Sequence, residues 1–88
     1  MFIRPMDLEE HQKLGDLLLA QKQYGPAVRE FETLLALNTP DKATAYYKLA
    51  ESSFGQGNRQ AARTNVMKAL EIAPSYEPAQ ELLLKIVR

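Results

Sequence analysis

His11 is the sole histidine, and with cysteine absent it is the side chain best suited by ordinary titration to general-base work near neutral pH. Catalysis would also need a nucleophile beside that base, a carboxylate pair in a cleft or a metal cluster, and the sequence offers none. Gly55-Gln56-Gly57 is the nearest approach to a phosphate-cradling loop. It lacks the third glycine, the preceding strand and the spacing, so it reads as the stop of a helix. Lys22, Arg59, Arg63 and Lys68 are the nearest to a nucleic-acid patch, but Gln, Asn and Ala interleave them, as on solvated helix faces. Lys+Arg and Asp+Glu both count 11, so no global field draws the chain to nucleic acid or to an acidic membrane. The expectation is a non-enzyme with no catalytic, cofactor or metal site and no nucleic-acid or membrane partner.

The elements that must position any working surface are helices. The chain has 88 residues, 45% of them hydrophobic, enough for one domain with a modest core. Aliphatic runs such as Leu17 to Ala20 fall far short of the roughly 18 residues of a membrane span. Met1 to Asp7 has neither the apolar run nor the small-residue cleavage site of a secretory signal. The compartment is therefore unknown, with the cytoplasm as default, and the absence of cysteine leaves the redox environment open.

Asp7 and Glu10 have the spacing of an N-cap and its capping partner, which predicts a helix from there. Its apolar side is expected to carry Leu8, Leu14, Leu17 and Leu18, with Glu9, Gln12, Lys13 and Asp16 on the other faces. Tyr24-Gly25-Pro26 breaks the pattern, with Pro26 expected at the first position of a second helix running through Phe31 and Leu35. Thr39 or Asp41 can cap a third helix carrying Tyr46, Tyr47, Leu49, Ala50 and Phe54. Asn58 caps a fourth helix that stops at Ala73-Pro74-Ser75, and a short fifth starts near Pro78. Period-two alternation of useful length is missing, so the class is all-α.

Shifting the sequence on itself by 35 residues pairs His11 with Tyr46, Leu14 with Leu49, Gly15 with Ala50, Ala27 with Ala62, Phe31 with Val66, Leu35 with Leu70, and Leu37 with Ile72. Gly15/Ala50 and Ala27/Ala62 are small in both halves, which lets paired antiparallel helices approach closely. A shift of 34 carries the second unit onto the C-terminal segment, setting Leu49 on Leu83 and Ala50 on Leu84. That third unit stops after its first helix.

The pattern His11-x2-Leu14-Gly15-x2-Leu18, Ala27-x3-Phe31, Pro40, followed by Tyr46-x2-Leu49-Ala50-x2-Ser53, Ala62-x3-Val66, Pro74, resembles the tetratricopeptide repeat from about Leu8 to Val87. The departures are the lost aromatic at His11, where a packing role is expected, the polar Ser53, and Pro40 displaced by one residue. The resemblance implies a right-handed solenoid of helical hairpins with five helices. Its expected divisions are an N-terminal extension at 1–7, one unit at 8–41, a second at 42–76 and a closing helix at 77–88. It also implies a concave surface, lined by the first helix of each hairpin, that binds another protein or peptide. On this register the facing residues are Gln12, Asp16 and Leu19, then Tyr47, Glu51 and Phe54, then Glu81 and Lys85. Tyr47 and Phe54, seven apart, share one side of their helix and would offer aromatic contact area.

One sub-class of these repeats grips the C-terminal tails of chaperones with a clamp of Lys, Arg and Asn. The corresponding positions are Gln12, Asp16, Lys48 and Leu82, of which only Lys48 has the right charge, so that use is not expected and a neutral or basic peptide suits the surface better. On the last helix, Ala79, Leu83, Ile86 and Val87 can cover the preceding hairpin, while Leu82 and Leu84 are expected to lack a partner. They are the candidates for self-association into a homodimer or for contact with a further domain of a larger protein; Phe2, Ile3 and Met6 could serve a similar contact at the other end. A homo-oligomerising or spacer element is thus the alternative to a peptide-binding module.

Overall fold

Side-chain caps fix where two of the described helices begin. A computed structural model describes residues 8–88, with α1 at Leu8–Ala20, α2 at Tyr24–Ala36, α3 at Lys42–Gly55, α4 at Arg59–Ile72 and α5 at Glu77–Val87. No strand occurs among the described residues. The expected Asp7 cap, the 1–7 extension and the contact assigned to Phe2, Ile3 and Met6 lie outside them. Asp41 caps α3 by accepting the Thr44 N–H at 3.2 Å, and Asn58 caps α4 by accepting the Ala61 N–H at 3.2 Å. Pro26 corrects one expectation: α2 starts two residues earlier, at Tyr24, which makes Pro26 its third residue. That is still within the first turn, where a backbone N–H has no intrahelical acceptor to lose.

Three helices end alike. Lys22, Asn38 and Gly57 take left-handed backbone angles (φ 59°, 63° and 86°), and the next residue's N–H reaches back to Leu18, Leu34 and Ser53 respectively, at 2.8, 3.1 and 2.9 Å. Lys22 and Gly57 are 35 residues apart, so the stop signal repeats with the helices even where glycine does not.

Each helix packs on its neighbours in the chain, and α3 also touches α5, giving an elongated body of 52 × 25 × 18 Å. No helix among the described residues is long and apolar enough to cross a membrane. The core falls into two clusters. Ala27, Phe31, Leu34 and Leu49 form one, with Leu8, Leu18 and Leu19 against it. Ala50, Ala62, Val66, Ala69, Ala79, Leu82 and Ile86 form the other, with Tyr46, Tyr47, Phe54 and Tyr76 against it. These clusters join consecutive hairpins, so burial is shared along the stack.

The two hairpins solve one packing problem with different volumes. A Cβ on Gly15 would stand 2.7 Å from the Phe31 ring, and the register partners of this pair are Ala50 and Val66, both fully buried. Large ring with no Cβ in one unit corresponds to smaller side chain with a methyl in the other. Gly15→Ala alone should therefore cost about 1–3 kcal/mol by overpacking. In the Phe31→Val background the same change should cost much less, as a double-mutant cycle in urea would show. Equal costs in both backgrounds would mean that the two positions are not coupled.

Leu17 corrects a second expectation, because it is 54% exposed and does not join the apolar side of α1. It stands two residues from buried Gly15, about 160° around the helix. Its register partners Ser52 and Ile86 are buried, since each faces a preceding hairpin that Leu17 does not have among the described residues.

Candidate partner-binding face

The first helices of the successive units form one continuous face, pinned where Asp16 of α1 accepts a hydrogen bond from the Lys48 ammonium of α3. These residues are 32 apart in sequence. The pair removes the free cation from the one position that could have begun a clamp for a carboxylate tail. Gln12, at the other end of α1, is exposed beside Lys48, Phe31 and Thr44, around a hollow of only about 20 Å³, room for roughly one water molecule.

Beyond the Asp16–Lys48 pair the face opens into a groove of about 360 Å³. Leu19 and Ala20 of α1, Tyr24 of α2, Glu51, Phe54 and Gly55 of α3, and Leu82 and Lys85 of α5 line it. Four of the sequence-predicted residues, Leu19, Glu51, Phe54 and Lys85, thus meet in one place. Tyr47 lies off the groove, half-buried on the second core cluster, with its ring edge-to-face to Tyr76 at 5.5 Å between centroids and 79° between planes. Burial, and then the nearby Glu51, Tyr76 and Glu81, raise its hydroxyl above the ordinary tyrosine pKa. Glu81 is exposed on α5.

Leu82 requires a correction. It is 6% exposed and sits in the core cluster with Ala79 and Ile86, whereas Val87, expected to cover the hairpin, is 57% exposed. The stripe that α5 buries therefore runs through 79, 82 and 86, at helical spacing. Leu84 is 59% exposed among the described residues. It occupies the register position of Gly15 and Ala50, each of which faces the second helix of its own hairpin, and α5 has no such helix after it among the described residues.

His11 is half-buried, with Nδ1 at 2.7 Å from Oε1 of Glu30, so it ties α1 to α2 through a polar contact where the repeat pattern has an aromatic. Of the cationic candidates, Lys68 lies over the Tyr46 ring, 5.5 Å from its centroid. Arg59 donates to the carbonyls of Ile86 and Arg88 at 3.2 and 3.3 Å, closing the end of α5. Arg63 lies beside it in a second opening of about 450 Å³ with Ile86 and Val87, and Lys22 is exposed at the end of α1.

Sequence reasoning missed Tyr24 and Tyr76. The available signal for Tyr24 was register: it matches Arg59, and each is the first residue of a second helix, laid against the end of the next unit's first helix. Tyr24 covers Gly55 there, as Arg59 covers the end of α5. Tyr76 precedes α5 in a turn and carries no periodic signal.

Residues 43–76 match the tetratricopeptide repeat family. Over 83 residues, 90% of the chain, the sequence is 32% identical to the DnaJ homolog subfamily C member 3 of Bos taurus, and 31% identical to the proteins of the same name from Homo sapiens and Rattus norvegicus. The chain spans 16% of the length of these relatives. Residues 43–76 are thus similar to a tetratricopeptide repeat, and the repeated helical hairpins and shared register carry the same architecture along the described residues; such repeats generally mediate protein–protein interaction.

Proposed function

We propose that the chain is a binding module, without catalytic activity of its own, that receives an extended segment of another polypeptide on the concave face of its first helices. The observation that carries this is the groove itself, in which side chains from α1, α2, α3 and α5 converge on Phe54 with apolar floor and charged rim. Gln12, Asp16, Lys48, Tyr47 and Glu81 extend the surface beyond the groove, with Lys48 already neutralised by Asp16. A neutral or basic segment suits it, because Glu51 and Glu81 have no ion-pair partner among the described residues. The working division is one unit at 8–41, a second at 42–76 and a closing helix at 77–88. Leu84 supports the closing role of α5, since a leucine stands where the other units keep the small residue that a following helix would need.

Ala20→Trp tests the reading without removing a contact, because Ala20 is exposed and lines the groove. Peptides selected from a random display library on the unaltered chain should bind that variant at least about tenfold more weakly, the loss of a well-placed anchor contact. Ala36→Trp, exposed at the end of α2 and outside the groove, should leave binding unchanged. Equal binding to both variants would move the site elsewhere. A second reading, homo-association through α5, draws on the exposed Leu84 and Val87.

A further inference from the structure

The rings of Tyr47 and Tyr76 stand nearly at right angles, so they form two walls of a corner. Both are partly exposed; Glu51 stands one turn on from Tyr47 along α3, and the charges of Glu51 and of Glu81 on α5 both bear on the Tyr47 hydroxyl. Neither carboxylate has an ion-pair partner among the described residues, in contrast to Asp16 on the same face, which holds Lys48. Glu51 also lines the groove next to Phe54 and Leu82, so corner and groove share a wall.

We propose that the corner between Tyr47 and Tyr76, flanked by Glu51 and Glu81, is a subsite for a Lys or Arg side chain of the bound polypeptide, next to an apolar residue seated in the groove against Phe54. This rests on the concave-face reading and adds to it the chemical identity of the ligand. An electron-rich ring face attracts a cation, and a carboxylate on each side supplies the compensating charge that an entering guanidinium or ammonium requires. The chain already uses the first contact internally, with Lys68 over Tyr46. Lys85 borders the groove, so it steers an incoming cation toward the glutamates. The Arg59 and Arg63 opening offers the opposite polarity, but Arg59 is engaged with the α5 carbonyls.

The experiment is an NMR titration of the 15N-labelled chain with two probes, acetyl-Leu-Arg-Leu-amide and its neutral isostere carrying citrulline in place of Arg. The Arg probe is expected to bind roughly tenfold more tightly, the combined effect of one cation–π contact and two partly exposed ion pairs. It should shift the amides of Tyr47, Glu51, Phe54 and Glu81. In the Glu51→Gln, Glu81→Gln variant, whose circular dichroism should be unchanged because neither side chain is core, the preference should vanish and the two probes should bind alike. Equal affinity of the two probes on the unaltered chain, with shifts at Leu19 and Phe54, would overturn the cation subsite and leave the groove standing. Shifts confined to other faces, or none with either probe, would overturn both.

Discussion

Phe31→Ala is expected to lower unfolding stability by about 3–5 kcal/mol, the usual cost of deleting a buried aromatic ring. The ring is fully buried, it is among the largest side chains so enclosed, and it rests on the bare Cα of Gly15 where α1 meets α2. Gly15, opposite the ring, has no side chain with which to fill the space. A chain of 88 residues has a total stability on the order of 4–13 kcal/mol, so the loss is a large share of the whole. Urea denaturation followed by circular dichroism measures it. Val66→Ala, the register equivalent, should cost less, because a smaller group is removed. A cost below about 1.5 kcal/mol for Phe31→Ala would show that α1 adds little to the stability of the hairpin.

Leu82→Glu and Leu84→Glu, two positions apart on one helix, are expected to behave in opposite ways. Leu82 lies in the core with Ala79 and Ile86, and a carboxylate there would have to be desolvated without a partner or pull α5 away from α4. A loss above about 4 kcal/mol follows. Leu84 is exposed, and its replacement should change stability by no more than about 0.5 kcal/mol. The same proteins decide the homo-association reading by sedimentation at several concentrations. If α5 joins two copies, the unaltered chain is a dimer that Leu84→Glu dissociates while its helices stay intact. A concentration-independent monomer removes self-association and leaves the concave face as the working surface.

The helical class, the five helices, the Asp41 and Asn58 caps and the 35-residue register were legible in the sequence, because each is a local or periodic property. A cap needs only a side-chain oxygen three residues before an unpaired N–H, and a repeat shows itself by residue size at fixed spacing. Register also placed Leu19, Glu51, Phe54 and Lys85 on one face, and the groove gathers them. Burial at a given angle around a helix was not legible in the same way, since it depends on whether another helix stands there. Leu17 is exposed and its register partner Ser52 is fully buried, although the leucine is the more apolar, because α3 has a preceding hairpin beside it and α1 has none among the described residues. Leu82 and Leu84 divide for the same reason. Tertiary structure alone brought Asp16 to Lys48, His11 to Glu30, and Tyr76 to Tyr47, contacts that span 32, 19 and 29 residues of chain and leave no trace in local pattern. Local pattern is enough to say which helices form and in what repeat; the stacking of those helices decided which side chains remain free to meet a partner, because accessibility belongs to the assembled neighbours and not to the residue.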